Sequence, residues 1–179
     1  IVGAHFYGPP PAGDGRAYLY LGSPSGLSQS PAWIGQAGQA NSIFGDAVST
    51  AGDVNGDGYS DVVIGAPLFS NPDSDEGRAF LYLGSGSGLD SIPAWSAESN
   101  QEGARFGYGA VSTAGDVNGD GYSDVIVGAY GYDNGHPDEG RAFLYLGSTT
   151  CADADADGYG SPSAGACPAG ASLDCDDAD

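Results

Sequence analysis

The chain has 179 residues, 40% of them hydrophobic, which is enough to bury a sizeable core and excludes a disordered protein overall. Its net charge is −20, from 24 acidic and 4 basic residues, and lysine is absent. Such a balance is unsuited to phosphate backbones and anionic membranes, so no nucleic-acid partner is expected, and these residues contain no membrane segment.

Ile1-Val2-Gly3-Ala4 at the start matches Ile126-Val127-Gly128-Ala129, so the sequence opens inside a repeat whose earlier part it does not contain. Gly15 to Ser23 reads Gly-Arg-Ala-Tyr-Leu-Tyr-Leu-Gly-Ser and returns nearly unchanged at Gly77 to Ser85 and Gly140 to Ser148. The stretch S-G-L…P-A-W occurs at Ser25 to Trp33 and again at Ser87 to Trp95. Phe44-Gly45 opens a second unit and Phe106-Gly107 a third. Between them, Val48 to Val62 recurs without a substitution 63 residues later, at Val111 to Val125. A period near sixty residues marks a supersecondary unit in a solenoid, propeller or array.

Each unit predicts four short strands: the stretch after Phe-Gly, the run Asp61 to Ala66, the run Arg78 to Leu83, and a strand near Trp95. β-branched and aromatic enrichment with Gly, Pro, Ser and Asn punctuation favours strands, and no convincing capped helical period occurs. Val125-Ile126-Val127 does not alternate with polar residues, which predicts cover on both faces, as between stacked propeller blades.

The loop D-V-N-G-D-G-Y-S-D joins the first two strands of two units. Asp53, Asn55, Asp57 and Asp61 carry oxygen at positions one, three, five and nine, and Tyr59 offers a carbonyl at position seven; Asp116, Asn118, Asp120, Tyr122 and Asp124 repeat the set. Alternation turns every second side chain toward one centre, and Gly58 and Gly121 permit the bend. Carboxylates about 4 Å apart repel by roughly 4 kcal/mol at an effective dielectric of ~20. A divalent cation relieves that repulsion, and hard oxygen donors select calcium. An EF-hand needs Glu at position twelve, where Ile64 and Val127 stand.

Phe44-Gly45, the D-x-N-x-D-G-x-x-D loop from Asp53 to Asp61 and Gly65-Ala66-Pro67 resemble the FG-GAP repeats of integrin α-subunit propellers and their bacterial relatives. Phe106-Gly107, Asp116 to Asp124 and Gly128-Ala129 carry the resemblance in the next unit, where Tyr130 replaces the final Pro. The resemblance implies an all-β chain, a partial β-propeller of about two and a half four-stranded blades over residues 1–148, whose remaining blades are missing or supplied by other sequence. It implies calcium loops between the first and second strands of a blade. It also implies a secreted or cell-surface protein acting in adhesion or recognition, with a protein or glycan ligand. The residues themselves assemble no nucleophile with a base and no catalytic metal with an open site, so no catalytic residue is expected. Loops 4–14, 67–76 and 130–139 differ among units and are expected to expose Phe6, Tyr7, Phe69, Tyr130 and Tyr132 on the face opposite the calcium loops, where integrins bind ligand. Relaxed constraint explains their variation equally well. A propeller within a larger hydrolase or lyase, and a structural spacer, are the alternatives.

Arg16, Arg78 and Arg141 share one repeat position and are expected to pair with a carboxylate or stack on an aromatic of the adjacent blade. Trp33 and Trp95 are expected to anchor the core, and His5 and His136 lie in loops without a Ser, Cys or second His nearby. Residues 149–179 form an acidic tail with all three cysteines, Cys151, Cys167 and Cys175. The tail resembles the D-x-D-x-D-G-Y-G…C…D-C-D-D metal-binding motif that follows repeats in some secreted bacterial proteins. Asp153, Asp155 and Asp157 are its candidate calcium ligands, a disordered acidic linker is the alternative reading, and the cysteine pairing is open.

Overall fold

Twelve strands and no helix make up the part of the chain that the computed structural model describes, residues 1–8 and 13–148. The first unit contributes β1 (Val2–Ala4), β2 (Arg16–Leu19), a small hairpin of β3 (Gly22–Ser23) and β4 (Gly26–Leu27), and β5 (Trp33–Gly35). The second contributes β6 (Val48–Gly52), β7 (Asp61–Ala66), β8 (Arg78–Tyr82) and β9 (Trp95–Glu98). The third contributes β10 (Phe106–Gly115), β11 (Asp124–Ala129) and β12 (Arg141–Tyr145). They assemble into three main antiparallel sheets in the orders β1-β2-β5, β6-β7-β8-β9 and β10-β11-β12. One sheet is a complete four-stranded meander and its neighbours have three strands each, which is the expected partial propeller.

The unbroken apolar runs follow from stacking. Along β7, Val62, Ile64 and Ala66 point into one core with Ala17, Phe44, Phe80 and Tyr82. The alternate residue Val63 points into another core with Phe106, Val111, Val125 and Val127. A strand with a sheet against each face has no side that needs polar residues, so period-two alternation disappears. Each core is also locked by aromatics. Trp33 of the first sheet meets Tyr82 of the second edge-on with centroids 4.8 Å apart, and Trp95 meets Tyr145 of the third at 4.6 Å. Both tryptophans are therefore anchors between sheets, and Trp33 Nε1 also donates to the carbonyl of Asp90 at 2.9 Å.

The Phe-Gly and Gly-Ala motifs are the contact points of adjacent units. Phe44 and Phe106 are fully buried, and each peptide N–H donates backward, to Asp14 O at 3.1 Å and Glu76 O at 2.9 Å. Gly65 faces Gly107 of the next sheet so closely that a Cβ on Gly65 would lie 2.3 Å from the Gly107 carbonyl oxygen. The same approach occurs one unit earlier, where a Cβ on Gly3 would lie 2.0 Å from Gly45 O. Backbones this close leave no room for a side chain, which is why the repeat keeps both glycines.

The arginines depart from expectation in one respect. Arg16 lies over Tyr7 at 4.1 Å, Arg78 over Phe69 at 4.2 Å and Arg141 over Tyr132 at 5.1 Å. Each aromatic belongs to the second-to-third-strand loop of the same sheet rather than to the adjacent one, because the arginine opens the third strand where that loop returns. Arg78 in addition pairs with Glu98 across β8 and β9. The stacking also corrects the picture of the loops: Phe69 is buried, and Tyr132 is half-buried against Phe143 at 5.5 Å. Phe6, Tyr7 and Tyr130 are exposed.

Candidate metal centre

β6 and β7 pair with Val48 opposite Ile64 and Gly52 opposite Asp61, and the first acidic loop fills the connection at the end of the pair. β10 and β11 repeat the arrangement with Gly115 opposite Asp124. Inside each loop the first aspartate acts as a hub. Asp53 Oδ1 accepts the N–H groups of Gly56 at 2.8 Å and Asp57 at 3.0 Å, and its Oδ2 accepts that of Gly58 at 2.9 Å. Asp116 accepts the equivalent donors Gly119, Asp120 and Gly121 at 2.7, 3.0 and 2.9 Å. Asp57 and Asp120 each accept the N–H of the following tyrosine, at 2.8 and 3.0 Å. The side-chain amide of Asn55 donates to Asp57 Oδ2 at 3.0 Å and that of Asn118 to Asp120 Oδ2 at 2.7 Å. Positions one, three and five are thus wound round one turn, and Gly58 and Gly121 take φ of 87° and 94° to make it.

Position nine plays a different part. Asp61 is fully buried; Oδ2 accepts the N–H of Val54 and Oδ1 that of Gly84, both at 2.8 Å. Asp124 is buried likewise, taking Val117 N–H at 2.7 Å and Gly147 N–H at 2.9 Å. These aspartates brace the loop against the end of the third strand, an attachment that the motif alone does not reveal. Burial raises the Asp61 carboxyl above its ordinary value, opposed by the two N–H groups, and the charges of Asp57 and Asp53 push further upward. The Asp61 carboxyl therefore feels the other two carboxylates of its loop. Tyr59 and Tyr122 sit at position seven, Tyr59 with its side chain exposed and Tyr122 half-buried.

Among the described residues, no three His, Cys, Asp or Glu side chains are grouped so as to hold a metal ion. The carboxylates of Asp53, Asp57 and Asp61 are turned toward backbone N–H groups. The donor set is nonetheless all hard oxygen, wound on one turn and crowded with negative charge, and it suits a hard divalent cation. Asp153, Asp155 and Asp157, with the three cysteines, lie outside the described residues.

The two loops carry the same hydrogen bonds in the same frame, between the Phe-Gly and Gly-Ala segments of their units. Residues 44–82 and 108–145 match the FG-GAP repeat. The chain is similar to integrin alpha-PS2 of Drosophila melanogaster, 40% identical over 117 residues, which is 60% of this chain and 8% of that protein. It is 38% identical to integrin alpha-IIb of Mus musculus over 120 residues, 65% of this chain and 11% of that protein. With integrin alpha-5 of Xenopus laevis it shares 32% identity over 141 residues, 75% of this chain and 13% of that protein. The chain thus spans only about a tenth of the length of these relatives.

Proposed function

We propose that the FG-GAP units form a calcium-braced propeller segment of a secreted or cell-surface protein that acts in adhesion or protein recognition. The observation that carries this reading is the pair of acidic loops, alike bond for bond, each closing the first two strands of its sheet. Asp53, Asn55, Asp57, the Tyr59 carbonyl and Asp61, with their counterparts Asp116, Asn118, Asp120, Tyr122 and Asp124, hold the ion, and Asp61 and Asp124 also fix the loop to the sheet. Calcium offsets carboxylate repulsion and acts as a brace, with no reaction assigned to it. The similarity to integrin α chains supports recognition as the role, with a protein or glycan ligand. The second-to-third-strand loops leave β7 and β11 at the ends opposite the acidic loops, and the exposed Tyr130 after β11, with Phe6 and Tyr7 of the equivalent loop after β1, forms the candidate recognition surface.

Thermal unfolding with calcium and with chelator tests the brace. Sites of extracellular modules bind near 10⁻⁴–10⁻³ M. At about 10 mM calcium each filled site then stabilises the fold by roughly 1.4–2.7 kcal/mol, which raises Tm by several degrees for a chain of this size. Asp57→Ala is expected to remove one bound ion and part of that rise, while Arg78→Ala leaves the ion count unchanged. Identical melting curves with and without chelator refute the reading.

A further inference from the structure

The two acidic loops touch. Asp53, position one of the first loop, is paired through both sides of its backbone with Ser123, position eight of the second. The Ser123 N–H donates to Asp53 O at 2.8 Å, and the Asp53 N–H donates to Ser123 Oγ at 3.2 Å. The approach depends on missing side chains. A Cβ on Gly52 would lie 2.3 Å from Ser123 Oγ, and one on Gly56 would lie 2.6 Å from the Tyr122 ring. Gly147 completes the junction: a Cβ there would lie 2.3 Å from Ser123 O and 2.9 Å from Val54 O, and its N–H holds Asp124. Tyr122 and Asp124, positions seven and nine of the second loop, therefore flank the residue that grips position one of the first.

We propose that the two loops are a coupled pair, in which a divalent cation ordering either loop raises the affinity of the other through the Asp53–Ser123 clamp. The proposal rests on the calcium reading above and adds to it that the sites are not independent. Without a cation the carboxylates of a loop repel, and holding it in its wound form is costly. A cation in the first loop fixes the Asp53 backbone, which then presents its carbonyl and N–H to Ser123 in the arrangement the second loop needs. Part of the ordering cost of the second loop is thereby met in advance, which is positive cooperativity. Linkage requires the effect to be reciprocal, with the same factor in both directions.

Isothermal titration of the full chain with calcium alone tests this, using Asp57→Ala to disable the first loop and Asp120→Ala to disable the second. Both residues are exposed, so the sheets do not depend on them. The parent is expected to bind at both loops cooperatively. Each variant should lose one ion and bind the other at least about threefold more weakly, by the same factor in the two variants. Ser123→Ala, which removes the Oγ half of the clamp and keeps the backbone bond to Asp53, should keep both ions with a smaller coupling factor than the parent. Adding Asp57→Ala to Ser123→Ala should then weaken the second loop by less than Asp57→Ala does alone. If each single-loop variant binds its remaining ion within twofold of the parent, the coupling is refuted while the calcium reading stands. If the parent binds no ion at either loop, both are overturned.

Discussion

Tyr82 shows at single-residue scale how tightly two sheets close. Its ring lies between Trp33 and Phe44, at 4.8 and 6.4 Å, and the residue is almost wholly buried. Burial disfavours the phenolate and pushes the phenol up to about 12 from 10.0. The unfolded chain releases this proton near pH 10, whereas the folded chain holds it until about 12. Stability is therefore full below pH 10 and falls as pH rises through about 12, by roughly 2–3 kcal/mol for this residue. Urea unfolding from pH 9 to 12 should show the decline, and Tyr82→Phe, which keeps the ring, should remove that share of it. A variant that follows the parent at every pH counts against burial as the cause. The aromatic run Phe80-Leu81-Tyr82 marks a strand in the sequence, but which residues face which neighbouring sheet is legible only once the stacking is known.

At the scale of elements, the connections between sheets hold information that motif reading missed. Gln39 and Gln101 each stand five residues before a Phe-Gly pair. The Gln39 amide donates to Ser70 O at 2.9 Å while its oxygen accepts the Ser70 N–H at 2.8 Å. Gln101 does the same with Asp133, donating to its carbonyl at 3.1 Å and accepting its N–H. Each glutamine imitates a strand edge and brackets the second-to-third-strand loop of the next unit. The matching offset from Phe-Gly was visible in the sequence, but its partners are loop backbone atoms whose side chains differ, so no pattern joins the two ends. Two hydrogen bonds at a half-buried site contribute about 1–3 kcal/mol together. Gln101→Ala should lower stability by that amount and speed amide exchange at Asp133, while Gln101→Glu should lose the donated bond and keep the accepted one. Exchange at Asp133 that is indifferent to either substitution refutes the bracket. The acidic loops were the opposite case: their donor spacing and glycines are local, so their shape was legible from nine residues. Their grip on Gly84, Gly147 and each other was not, because those partners are distant in sequence.

For the whole molecule, burial is decided by neighbours more than by local sequence, and two identical segments make the point measurable. Arg78 to Ser85 and Arg141 to Ser148 have the same residues in the same order. Leu81 is nevertheless 7% exposed and Leu144 49%, because the face of β8 that carries Leu81 is covered by the third sheet. The corresponding face of β12, with that of β11 beside it, leaves Ile126, Leu144 and Leu146 exposed among the described residues. Transfer and cavity costs apply only where surrounding atoms enclose the side chain. Leu81→Ala is thus expected to cost about 2–5 kcal/mol, while Leu144→Ala, the same change in the same motif, should stay within about 0.5 kcal/mol as surface substitutions do. Propensity, hydropathy and nearest sequence neighbours cancel in this comparison, leaving the cover of an adjacent sheet as the variable. Urea denaturation of the two variants side by side reads it directly. Equal losses would mean that β12 is covered in solution by something that β8 shares, and unequal losses in the stated order would measure what one stacked sheet contributes at one leucine.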